Sequence, residues 1–208
     1  MTTTFLLVRH AAHDWLGRGL AGRLPGVGLN HDGIAQARAL ARRLAPVPLR
    51  AIYSSPQQRT QETALPLALG RGLQVQVDAA FDEIDFGEWT GRGFDELRAL
   101  GAPWQQWCER RGSARPPGGE PFAEVPRRAL AGLRRLRELH PVGPVAVVSH
   151  GDVIKAVIAS CLGLSLDHLE TFEIAPASVS AVAMGEDWTQ VKLVNGRDWS
   201  DATLPSPA

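Results

Sequence analysis

Two apolar runs far apart in the chain each close on a histidine, and this constrains the fold more than any other feature. The first is Phe5-Leu-Leu-Val8, followed by Arg9-His10; the second is Pro144-Val-Ala-Val-Val148, followed by Ser149-His150-Gly151. Neither run alternates polar with apolar residues, which is how strands covered on both faces of a parallel sheet read. In open parallel sheets the ligand crevice lies beyond the carboxyl ends of the strands. As neighbours in one sheet, the two strands would point both imidazoles and Arg9 into a single cleft. His150-Gly151-Asp152 also opens a helix, whose free N–H groups favour an anion.

The segments between and around these runs alternate in kind. Ile34, Ala37, Leu40, Ala41 and Leu44 repeat at helical spacing, with Arg38, Arg42 and Arg43 off the stripe and Asn30 or Asp32 as cap. Ala51-Ile-Tyr53 predicts a strand, and Pro56 suits the first turn of a helix running through Thr60, Ala64 and Leu67. Leu73 to Val77 alternates as a third strand. Phe94–Leu100 and Trp104–Arg110 read as short helices, and Phe122, Val125, Ala129, Leu133 and Leu136 mark a long one. Val153–Ile158 reads as a buried helix, and Ser178–Met184 with Gln190–Val194 as a terminal strand pair. The predicted architecture is α/β: a three-layer α/β/α sandwich on a mainly parallel central sheet. It forms one domain over residues 1–208, with a cap or lid in 90–121 bounded by the Pro/Gly-rich Gly112–Gly119 loop, and a frayed tail at 198–208.

Composition narrows the partners. Lys+Arg and Asp+Glu both number 22, so the chain lacks the basic surplus expected of a nucleic-acid binder. All the basic residues except Lys155 and Lys192 are arginine, whose planar fork suits phosphate and carboxylate. Cys108 and Cys161 stand apart with no CxxC spacing, which predicts neither disulfide framework nor structural zinc and points to a reducing, cytoplasmic compartment. The N-terminal run breaks at Arg9, too short for a membrane span and without a basic leader.

Three patterns mislead. Gly17-Arg-Gly19-Leu-Ala-Gly22 spells GxGxxG, but Pro25 and further glycines follow where a dinucleotide site needs a helix. Val147-Val-Ser149-His150-Gly151 has valine at the first glycine of a nucleophile elbow, which argues against Ser149 as a nucleophile. His10 and His13 would make a metal pair only on a helix, and here they follow a strand into a loop.

Five blocks in order resemble the histidine phosphatase superfamily in its phosphoglycerate mutase-like branch. Leu7-Val-Arg9-His10 is similar to the RHG signature, and Ser54-Ser55-Pro56-Gln-Gln-Arg59-Thr-Gln-Glu-Thr63-Ala64 to the segment with the second arginine. Asp82-Glu83-Ile-Asp85-Phe86-Gly87-Glu88-Trp89 resembles the acid segment, Pro117-Gly-Gly-Glu120 the PGGES turn, and Val148-Ser149-His150-Gly151 the second-histidine block. The resemblance implies that His10, neutral and with one ring nitrogen free, attacks phosphorus to form a phosphohistidine. Its other nitrogen would donate to a backbone carbonyl. Arg9, Arg59 and Gly151 would bind the phosphate, and His150 would donate to the transferring phosphoryl. Glu83 would protonate the leaving group, with Asp82, Asp85 and Glu88 as rivals by proximity. No metal or cofactor is implied, because arginine and histidine neutralise the charge.

The chain departs from the pattern at Ala11, where a methyl replaces the signature glycine and is expected to crowd the loop. Leu16 and His13 stand where asparagine and Ser/Thr are common, so His13 is the candidate replacement donor, and Pro121 replaces the serine of PGGES. Arg23 is a second candidate substrate contact. Arg110, Arg111 and Arg115 read as surface charge, and Trp15, Trp104 and Trp107 as core or cleft mouth. The implied function is metal-independent hydrolysis of a small phosphorylated metabolite by a phosphomonoesterase. Two alternatives stay open: phosphoglycerate mutase-type transfer, and a catalytically impaired phosphate-binding module. The strand after Ser178 offers a pairing edge for a homodimer.

Overall fold

In the computed structural model, which describes residues 1–197, the two histidine-terminated runs are adjacent strands. β1 (Thr3–Arg9) and β4 (Gly143–Ser149) pair in parallel, with Val8 opposite Val148 and Arg9 opposite Ser149. The His10 amide donates to the Ser149 carbonyl at 2.9 Å, so the register carries on to the histidines themselves. β2 (Ala51–Ser54) joins the other side of β4 in parallel, and β3 (Val75–Val77) adds in parallel to β2. β5 (Val179–Met184) and β6 (Thr189–Gly196) complete the sheet antiparallel, in the order β3-β2-β4-β1-β5-β6. β5 is thus paired on both sides and is not the free edge expected for a dimer; the sheet ends on β3 and β6. The tail at 198–208 lies outside the described residues.

The non-alternating runs are explained by the layers. Leu6 and Val8 pack with Leu40 of α1 (His31–Arg43), with its C-cap Leu44, and with Ala64 and Leu67 of α2 (Gln58–Ala68). Phe5 and Leu7 face the opposite side. There Val125, Ala129 and Leu133 of α5 (Glu124–Leu139) and Val153 and Val157 of α6 (Gly151–Leu162) cover them. Both faces of the central strands are therefore desolvated, and the fold is the three-layer α/β sandwich the pattern predicts.

Three local expectations change. Asn30 caps α1, but Gly33 rather than Ile34 faces inward: a Cβ at residue 33 would lie 2.0 Å from the Ala12 carbonyl oxygen, and Ile34 is 45% exposed. α2 starts at Gln58, beyond Pro56, because Ser55 and Gln57 are engaged in the loop described below. β3 is shorter than the alternation at 73–77, as befits an edge strand.

Residues 90–121 contribute α3 (Phe94–Ala99), α4 (Ala102–Glu109) and a 3-10 turn at Arg111–Ser113. This segment shares the main core: Leu97, Trp107 and Ala114 are buried in the same cluster as α5 and α6. Trp107 meets Phe86, Trp89 and Phe122 edge-on at 5.6–5.9 Å between ring centroids, the favoured aromatic geometry. The glycine-rich loop is stitched to this segment by a bridge between Gly19 and Gly93, so close that a Cβ on Gly19 would meet the Arg92 oxygen at 2.2 Å. Among the described residues no helix is long and apolar enough to cross a membrane.

Candidate active site

A cavity of about 430 Å³ opens where β1 and β4 end, lined at its inner end by Arg9, His10, His13, Arg59, Glu83 and Gly151. Each residue arrives by a different route. Arg9 is the last residue of β1, and one guanidinium nitrogen donates to the Ile174 carbonyl at 2.6 Å. A Cβ on Gly151 would press on that guanidinium at 3.2 Å, so glycine here clears the way for the arginine. Arg59 comes from the first turn of α2 and is 1% exposed. Its Nη2 donates to the Gly22 carbonyl at 2.8 Å and to His150 Nδ1 at 3.1 Å.

Three nitrogens are left over. Arg9 Nε, Arg59 Nε and Arg59 Nη1 are buried without a hydrogen-bond partner. Unpaired donors on desolvated cations are costly, and here they belong to two residues lining one pocket, an arrangement that can hold an anion.

The proton on each histidine follows from its partners. His10 Nδ1 lies 2.9 Å from the Ala11 carbonyl, an acceptor only, so Nδ1 carries the hydrogen and Nε2 keeps its lone pair. Burial, with Arg59 and Arg9 nearby, holds His10 well below the ordinary imidazole value, so it is neutral. At His13 the arrangement is reversed: the Trp15 amide donates to Nδ1 at 3.2 Å, leaving Nε2–H as donor. Burial, then Arg59, lowers its pKa to about 4, so it too is neutral at physiological pH. The rings of His10 and His13 lie 4.9 Å apart.

His150 needs a longer chain of reasoning. Asp82 only accepts, so Ser55 Oγ must donate to it at 3.1 Å. His150 Nε2, 2.8 Å from the same hydroxyl, must then donate to Ser55, and Nδ1 is left as the acceptor for Arg59. Burial and Arg59 keep this ring well below its ordinary pKa as well. His150 was expected to donate directly to a phosphoryl group; instead it is fully buried behind the cavity lining, with no N–H directed at the pocket. The reason is Ser55, which takes its only proton.

Glu83 is the acid. Its Oε2 lies 3.4 Å from His150 Nδ1 and 3.8 Å from Arg59 Nη2, and Oε1 accepts from the Ile84 amide at 3.0 Å. Burial raises its pKa to about 7 against the pull of Arg59. The rivals are occupied elsewhere. Asp82 accepts from Ser55, Gln57 and the Glu83 amide, Asp85 accepts from the Gly87 amide, and Glu88 is exposed.

Arg23 does not reach the cavity lining. It donates to the Glu83 carbonyl at 2.9 Å and pairs with Asp82 and Glu120 at 3.2 Å. The acidic 82–88 loop captures it, and Arg128 joins from α5, donating to Glu120 and to the same carbonyl. Both arginines clamp the segment that carries the acid. Ala11 does not crowd its loop. Its methyl is buried beside Ala37 and Ala177, and its amide donates to Thr63 Oγ1 at 2.9 Å. Ser149 donates to the Phe81 carbonyl, a structural bond.

The outer part of the cavity holds residues that sequence reasoning passed over. Arg111, read as surface charge, is 14% exposed, pairs with Asp152 at 3.0 Å and Glu170 at 3.1 Å, and stacks over Trp107. Lys155 pairs with Glu170 at 3.2 Å. Asp152, two residues beyond His150 in the first turn of α6, was the one detectable signal. Arg111 had none, because its partners lie 41 and 59 residues away. Arg115 bonds locally to the Gly119 carbonyl. Trp15, Trp104 and Trp107 all line the cavity.

Comparison with known proteins places this geometry. The sequence profile described as histidine phosphatase superfamily (branch 1) matches residues 5–197. Phosphoserine phosphatase 1 of Hydrogenobacter thermophilus is 34% identical over 182 residues, covering 87% of this chain and 86% of the relative. The adenosylcobalamin/alpha-ribazole phosphatase of Escherichia coli is 28% identical over 170 residues, 81% of this chain and 84% of that one. Among solved structures, Bacillus stearothermophilus YhfR superposes with a TM-score of 0.88 at 30% identity, covering 93% of this chain and 96% of its own. The alpha-ribazole phosphatase of Shigella flexneri does so at 0.83 and 26%, covering 94% and 97%.

Proposed function

We infer the reaction from one premise: this chain belongs to the histidine phosphatase superfamily (branch 1). It is a hydrolase of phosphate monoesters, and its substrate is a small phosphorylated metabolite, as with the relatives named above. One observation carries the reading of the site. Three unpaired, buried guanidinium nitrogens of Arg9 and Arg59 converge beside the free Nε2 of His10 and under a carboxyl poised at about 7.

In the proposed mechanism the non-bridging oxygens of the phosphate take those orphan donors and the Nε2–H of His13. His10 Nε2 attacks phosphorus as the ester P–O bond breaks, and Glu83 gives its proton to the leaving oxygen. The resulting Glu83 carboxylate then takes a proton from water, the water oxygen bonds to phosphorus, and the P–N bond breaks. His13 supplies the donor lost with the asparagine that Leu16 replaces. His150 works as a positioning group: it holds Nη2 of Arg59, turning Nε and Nη1 inward, and fixes the side on which Glu83 Oε2 stands. Exposed Gly17 and Glu170 on the lining leave a path for water to the intermediate, which supports hydrolysis over retention of the phosphoryl group. The segment 90–121 acts as a fixed wall of the pocket. Free Cys108 and Cys161 support a cytoplasmic setting.

The test is His10→Ala, assayed with 4-nitrophenyl phosphate and with 3-phosphoglycerate, together with acid-quench trapping of phosphate on the protein. Turnover is expected to fall at least about 10³-fold and the acid-labile phosphohistidine to vanish. Unchanged turnover would sink the mechanism, and isomerisation of phosphoglycerate outrunning phosphate release would establish the mutase reading instead.

A further inference from the structure

We propose that the outer part of the pocket selects phosphate monoesters whose alcohol carries no net negative charge and presents an apolar or aromatic face. This substrate class rests on the phosphatase reading above. A second anionic group on the substrate, a carboxylate or another phosphate, needs an uncompensated cation within reach, and among the described residues the outer pocket offers none. Its two cations, Arg111 and Lys155, face three carboxylates, Asp152, Glu170 and Glu173. Arg111 is held by two of them and Lys155 by one, at 3.0–3.2 Å. Both cations are nearly buried, at 14% and 12% exposure, and turning Arg111 towards a ligand gives up its bond to the partly buried Asp152. Glu173 adds a negative charge at the rim, within electrostatic reach of Arg9. Arg111 leaves only its Nε unpaired, while among the described residues Arg9 and Arg59 together leave three buried nitrogens unpaired at the inner end, where a single phosphate takes them.

Rings line the rest of this part of the cavity. Phe94 and Trp104 approach to 6.3 Å and border the same cavity as Trp15 and Trp107. An alcohol leaving the inner site therefore meets apolar ring surface together with a charge-balanced, slightly negative surface. That environment favours a neutral, zwitterionic or cationic alcohol with hydrophobic area, and repels a carboxylate.

The experiment compares kcat/KM for three esters with similar alkoxide leaving groups: 2-phenylethyl phosphate, glycerol 3-phosphate and 3-phosphoglycerate. Wild type is expected to rank them in that order, with at least a tenfold span from first to last. Glu173→Lys, at an exposed position, should raise 3-phosphoglycerate relative to glycerol 3-phosphate by about threefold or more. Trp104→Ala should shrink the advantage of the phenylethyl ester over the glycerol ester. A wild type that prefers 3-phosphoglycerate, or ratios unmoved by both substitutions, overturns the proposal while leaving the phosphatase reading intact. Hydrolysis of none of the three overturns the phosphatase reading, and this inference with it.

Discussion

Arg59 and Arg111 line the same cavity, both largely buried, yet the protein treats them oppositely. Arg59 keeps Nε and Nη1 unpaired, hydrogen-bonds to two neutral partners, the Gly22 carbonyl and His150, and has Glu83 only at 3.8 Å. Arg111 leaves only Nε unpaired, with a carboxylate on each terminal nitrogen and aromatic rings beneath it. A guanidinium whose charge is already met by carboxylates attracts little; one left half-satisfied in a pocket keeps its attraction for an anion. Residue type alone therefore says nothing about which arginine binds substrate. What distinguishes them is the charge of their partners.

The largest effect should come from breaking the inner side. Arg59→Ala removes two of the three orphan donors, and kcat/KM on an alkyl phosphate should drop about 10²–10³-fold with the thermal midpoint nearly kept. An equal loss in stability and activity would erase the contrast. Arg111→Ala should do the reverse. Leaving Asp152 unpaired should cost about 1–3 kcal/mol in denaturant unfolding, with kcat/KM on 4-nitrophenyl phosphate changed less than tenfold.

The acid between the two regions gives a pH test. With Glu83 at about 7, kcat/KM on esters of poor leaving groups should fall as pH rises above 7, and Glu83→Gln should remove that limb along with most of the activity. The sign for stability is also set. The folded chain binds this proton more tightly than the unfolded chain, so stability declines as pH climbs from the ordinary carboxyl range to about 7. Glu83→Gln should accordingly be more stable than wild type at pH 8, by at most about 3 kcal/mol, with the difference gone near pH 4. His10, His13 and His150 act in the opposite direction: depressed when folded, they make stability fall as pH drops below their ordinary value near 6.5.

The smallest expected effect is the most diagnostic for His150. Ser55→Ala frees Nε2 from its acceptor, so the ring-nitrogen NMR signature of His150 should show a mixed tautomer and kcat should fall about tenfold, while Ser55→Thr restores both. An unchanged His150 spectrum in Ser55→Ala would mean that Ser55 plays no part in placing the proton.

Much of this molecule was legible in its sequence for simple reasons. Continuous apolar runs such as Phe5–Val8 report burial on both faces, and a histidine ending such a run lies where parallel sheets open. Spacing also found α1, α5 and the β5–β6 pair, because a periodicity of 3.6 or 2 is written directly in residue order. Ile34 and Arg23 were misjudged because their surroundings depend on contacts across the fold: the Ala12 carbonyl pressed against neighbouring Gly33 in one case, the acidic 82–88 loop closing on the arginine in the other. Ala11 was judged by its local strain, while the space for its methyl is made by Ala37 and Ala177.

The residues themselves determined the chemistry available: imidazoles at two strand ends, arginine forks, one carboxyl among Phe81, Ile84 and Phe86. Only the tertiary structure decided which nitrogen of each histidine bears the proton, which carboxyl is held at about 7, and which arginine keeps free donors. The reason is that proton position and charge balance depend on partners brought within 3 Å from distant segments, as Ser55 is brought to His150 across 95 residues.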